Sequence, residues 1–71
     1  MMFDKTKMLL KGYVEEIPDY ELSRWDKDQL INKIEWQNYI NIQEYQLDDI
    51  EREISFNNFA RAIDLIKSYL N

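Results

Sequence analysis

Carboxylates are the residues of this sequence with the most evident capacity for chemistry: Asp48, Asp49, Glu51 and Glu53 fall within six positions of one another. Such a group could ligate Mg²⁺ or supply a general acid and base. The segment has neither the loop glycine nor the alternating ligand spacing of a calcium-binding loop. Asp48 followed by Glu51 also fits a helix N-cap with an acidic partner three residues on, just ahead of Ile50 and Ile54. A capped, solvated helix start therefore explains these acids without a ligand.

The other common chemistries lack their residues. The chain has no histidine and no cysteine, which removes imidazole and thiolate as base, nucleophile or zinc ligand, and with them a serine triad. The single glycine cannot form a glycine-rich phosphate loop, which needs several to let backbone approach phosphate. The expectation is a non-enzymatic protein with no cofactor and no metal.

Charge and aromatic residues point instead to binding. The net charge is −5, carried by acidic blocks over residues 15–28 and 44–53 on either side of a neutral stretch. Trp25, Trp36, Tyr20, Tyr39 and Tyr45 lie between or beside these blocks, and Trp and Tyr are favoured in interfaces. Trp36 reads as a core residue. Trp25, Tyr39, Tyr45, Asp48, Asp49 and Glu51 are the candidate partner-binding residues, and the partner is expected to be another protein with a basic surface. The function this implies is regulation or inhibition of that partner, of inhibitor, antitoxin or immunity type. Two alternatives stand beside it: a nucleic-acid mimic whose carboxylates occupy a DNA- or RNA-binding groove, and a homo-oligomeric scaffold. Direct nucleic-acid binding is not expected. Ser55-Phe56-Asn57-Asn58 between two helical stretches resembles a helix-turn-helix connection, but the helix after it offers only Arg61 and Lys67 to neutralise phosphate.

These residues need a scaffold, and the punctuation is sparse. Pro18 is the only proline and Gly12 the only glycine, so long helices follow. The fold expected is all-α, a single bundle of three to four helices. Residues 3–14 read either as a helix with Phe3, Met8, Leu9 or Leu10, and Tyr13 inward or as a short strand through Met8, Leu10 and Val14; helix is favoured. Asp19 is placed to cap a short segment through Tyr20, Leu22 and Trp25. Asp26 with Gln29 marks a helix from about residue 27 that carries Leu30, Ile31 and Ile34 on one face. Trp36, Tyr39 and Ile40 fall on its other side, so this helix is central or ends near 36. Another helix starts at Asp48. Ile50 and Ile54 are out of phase with Phe59, Ala62, Ile63, Ile66, Tyr69 and Leu70, which calls for a break near 55–58 and a last helix capped by Ser55 or Asn57.

The stretch Ala60–Tyr69 with the helix from Leu30 to Ile40 resembles the helical hairpin of a family of small aspartyl-phosphate phosphatases. The match is confined to Ile63-Asp64 and the apolar spacing after it. Ala60 and Arg61 stand where that family has Ser and Gln, so its activity is not carried over.

Twenty aliphatic and ten aromatic side chains are barely enough core for a 71-residue chain with no disulfide or structural zinc. Homodimerisation is one way to supply more. No apolar run approaches the length of a bilayer span and the N-terminus has no signal-peptide core, so a cytoplasmic location without membrane contact is expected. The richness in Ile, Asn, Lys and Tyr is that of AT-rich codons, as in an AT-rich genome, a phage or another mobile element.

Overall fold

A computed structural model describes residues 5–70. They form four helices, α1 (Lys5–Glu16), α2 (Arg24–Trp36), α3 (Glu44–Ser55) and α4 (Phe59–Tyr69), and no strand occurs among the described residues. The all-α bundle is thus observed, and the N-terminal segment is helix rather than strand. α1 packs on both α2 and α3, and α4 packs on α3. α1 is therefore the shared wall of the bundle.

Burial follows helical periodicity. Leu10, Val14 and Ile17 from α1 and the residue after it meet Ile34 of α2, Ile50 of α3 and Ile66 of α4 in a common core, all with essentially no exposed surface. Tyr13 is buried and Leu9 half-buried, whereas Met8 faces out; Phe3 lies outside the described residues. Turning 100° per residue, a helix that buries Leu10 and Val14 cannot also bury Met8. The stripe read for the last helix is the observed one, with Ala62, Ile63, Ile66 and Leu70 buried and Phe59 and Tyr69 half-buried.

The ends differ from the capping pattern. α2 begins three residues before the expected start, because Ser23 and not Asp26 is the N-cap: its Oγ accepts from the backbone N–H of Asp26 at 3.2 Å. No short helix follows Pro18. Its carbonyl accepts from Glu21 and Leu22, closing one turn, while Asp19 turns away from any cap to pair with Lys27 at 2.7 Å. Lys27 needs that partner: its side chain is nearly fully buried on the core side of α2, and its carbon stem packs while the ammonium reaches Asp19. The same contact, by hydrogen bond and by charge, holds the Asp19 carboxyl below the usual range.

α3 likewise starts earlier, at Glu44. The Oε1 of Gln46 accepts from the backbone N–H of Gln43 at 2.8 Å, so an amide pair starts the helix and Asp48 lies within it. The break expected after α3 is present and has a defined form. Asn57 adopts a left-handed φ of 62°, its N–H bonds to Ile54 O, and the N–H of Asn58 bonds back to Glu53 O at 2.8 Å. This is a Schellman ending, for which Asn is the best substitute for glycine. Neither Ser55 nor Asn57 caps α4; Asn58 occupies that position and its side chain donates to Glu53 Oε2 at 3.1 Å instead.

Candidate functional site

The six candidate residues come from three places in the fold. Trp25 stands on the outer face of α2, Tyr39 in the connection between α2 and α3, and Tyr45, Asp48, Asp49 and Glu51 on α3. All three aromatic residues project into solvent. Trp25 stands on a different helix from the acids, and α2 and α3 each pack on α1 with no extended contact between them.

Within α3 the four residues divide again by helical phase. Tyr45 and Asp49, four apart, turn toward α4, and there the Tyr69 hydroxyl is raised above its ordinary pKa by burial first and then by the neighbouring Asp49 and Tyr45. Asp49 is half-buried and bound to Arg52 at 2.9 Å. Asp48 and Glu51 belong with Glu44 on the next face, at i, i+4 and i+7, which overlooks a groove between α1 and α3. Leu9, Ile42 and Leu47 line the groove, and Lys5 stands at its rim. The Tyr13 hydroxyl donates to Glu51 Oε2 at 3.3 Å. Burial, the charge of Glu51 and that hydrogen bond push the Tyr13 hydroxyl up to about 12, with Asp48 adding to the effect. The phenol therefore stays a neutral donor.

Some acids are paired within the molecule and others are not. Glu15, Asp19, Asp28, Glu35, Asp49 and Glu53 are all within ion-pair distance of an Arg or Lys of the same molecule. Glu44, Asp48 and Glu51, like Glu16, Glu21, Asp26 and Asp64, have no such bridge among the described residues. Glu44, Asp48 and Glu51 are exposed. Residue type does not distinguish the two sets; folding does. No group of three or more acidic side chains among the described residues is arranged to hold a metal ion, and no described helix is long and apolar enough to cross a membrane.

Trp36 corrects the sequence reading. It is not core: its side chain is 82 % exposed at the last residue of α2, and Trp25 is 71 % exposed at the other end. The eleven-residue interval between them, three helical turns and about 20° of residual rotation, puts both indoles on one side of the helix. That spacing was the available signal. The groove lined by Leu9, Ile42 and Leu47 had none, because its walls come from α1, α3 and the connection before α3.

The chain matches no protein-family model, no curated protein and no solved structure.

Proposed function

We propose that this is a small acidic, non-enzymatic regulatory protein that binds a partner protein through the α1/α3 groove and thereby modulates or inhibits it. The observation that carries the reading is the row Glu44, Asp48 and Glu51, without an ion pair among the described residues, along a groove in which Leu9, Ile42 and Leu47 expose apolar surface beside polar side chains that include Lys5. Such carboxylates attract a basic surface at a distance, and the apolar side chains reward close contact, so the complementary ligand is a basic amphipathic segment of another protein. The apolar side chains favour a protein over a nucleic-acid-binding groove as the target, because a phosphate mimic needs the charges alone. An inhibitor, antitoxin or immunity factor carried by a phage or other mobile element is the biological role that fits such a device.

The test is capture of partners from the native host at low and at high salt. Wild-type protein is expected to retain a basic protein at low salt and to lose much of it as salt screens the acids. Asp48→Lys combined with Glu51→Lys should abolish that capture while the helical circular dichroism signal persists. Capture that is indifferent to both salt and this variant refutes the proposal.

A further inference from the structure

The outer face of α2 has a different character from the α3 row. Trp25, Gln29, Asn32 and Trp36 follow one another at i, i+4, i+7 and i+11, giving a stripe with an exposed indole at each end and two amides between. Beside it, on one flank, Asp26 and Lys33 are seven residues apart and so lie over one another. Neither has an ionic partner among the described residues. Lys67, from the end of α4, joins Asp26, Lys33 and Trp36 in lining a second groove along this flank and is also unbridged among the described residues.

We propose that this face binds a second copy of the chain, with α2 paired antiparallel to α2 across a two-fold axis. The stripe is nearly self-complementary. With the axis passing between Leu30 and Ile31, Trp25 comes level with the partner's Trp36 and Gln29 with the partner's Asn32. A two-fold axis perpendicular to the helices also sets each flank against the same flank of the other copy. On that flank Lys33 lies within about 3 Å, measured along the axis, of the partner's Asp26, and Lys67 reinforces it. The arrangement makes two symmetric ion pairs from four charges that make none in the monomer among the described residues. The opposite flank brings Glu35 between the partner's Arg24 and Asp28 and is close to neutral. Because the interface is isologous, it closes at two subunits and leaves the α1/α3 groove open.

One helix face of this length covers about 500 Å² per protomer, less than a standard interface, so dissociation in the range of tens to hundreds of micromolar is expected. Trp25 and Trp36 are the only tryptophans. Their emission therefore reports on this face alone and should shift to the blue as concentration rises.

Sedimentation equilibrium and tryptophan emission across a dilution series test the proposal. Asp26→Lys alone and Lys33→Asp alone should each weaken self-association about tenfold, since each sets like charges together. Their equimolar mixture should recover it, because every facing pair is then opposite in sign. Trp25→Ala with Trp36→Ala should leave a monomer. A wild-type protein that is monomeric at about 1 mM, a dimer indifferent to the tryptophan pair, or two charge variants that do not rescue each other overturns it.

Discussion

The outward faces of α2 and α3 are built from the same stock of acids, basic residues, amides and aromatics, yet they present different kinds of surface. On α3, Glu44, Asp48 and Glu51 give one sign of charge along a groove shared with α1, which Leu9, Ile42 and Leu47 line together with Lys5. On α2, Asp26 and Lys33 give both signs on one flank of a stripe that ends in Trp25 and Trp36. A face of one sign repels its own copy and selects a different, oppositely charged molecule. A face with both signs at complementary levels can satisfy itself. That contrast underlies the two proposals, a basic protein as the partner of α3 and a second copy as the partner of α2.

The largest effects should come from the core that both faces share. Ile34 lies beneath α2 and Ile50 beneath α3, each fully buried. Truncating either to Ala should cost about 3 kcal/mol in a denaturant titration. Both binding events should then fail together, which makes these variants the standard for loss through unfolding. Against that standard, Asp48→Lys with Glu51→Lys should weaken partner capture by at least about tenfold, while stability falls only by the lost Tyr13–Glu51 hydrogen bond, about 1 kcal/mol, because neither acid is in an ion pair in the monomer.

Smaller effects sharpen the description of the α3 side. Tyr13 has a hydroxyl raised to about 12 in the folded protein against 10.0 for an unperturbed tyrosine. A group whose pKa is raised by folding stabilises the fold fully below the unfolded value and loses that contribution as pH climbs through the folded one. Between pH 10 and 12 the wild type should accordingly lose on the order of 1 kcal/mol from this residue, the full linkage value being discounted for partial solvent access. Tyr13→Phe should show a shallower decline over that window, measured by denaturation at successive pH values. The smallest change is a gain. Gly12 lies in α1 with negative φ and nothing within 4 Å of where a Cβ would stand. Gly12→Ala should add about 0.7 kcal/mol and alter neither face.

The scaffold was more legible in the sequence than the surface, for a physical reason. Burial imposes a period, so Ala62, Ile63, Ile66 and Leu70 announce their helix, and the phase jump after Ile54 announces the turn at Asn57. Caps were less legible because several polar residues near a helix start compete. Ser23 preceded Asp26 as the acceptor, and the amides of Gln43 and Gln46 started α3 before Asp48. Trp36 reads as core because an indole is apolar enough for one, but its phase, shared with Trp25 and about 200° from Ile34, and the end of α2 at that residue turn it outward. Among the acids, spacing could not separate Asp49 from Asp48. That difference rests on Arg52 and on which neighbouring helix each side of α3 meets.

One measurement bears most directly on the claim that the two faces serve two partners. Partner capture and self-association are determined for the same two variants, Asp48→Lys with Glu51→Lys and Trp25→Ala with Trp36→Ala. The expected result is a crossed loss, in which the acidic variant keeps its dimer and drops the basic protein while the tryptophan variant does the reverse. Loss of both activities in either variant, with its helical content intact, would contradict the assignment.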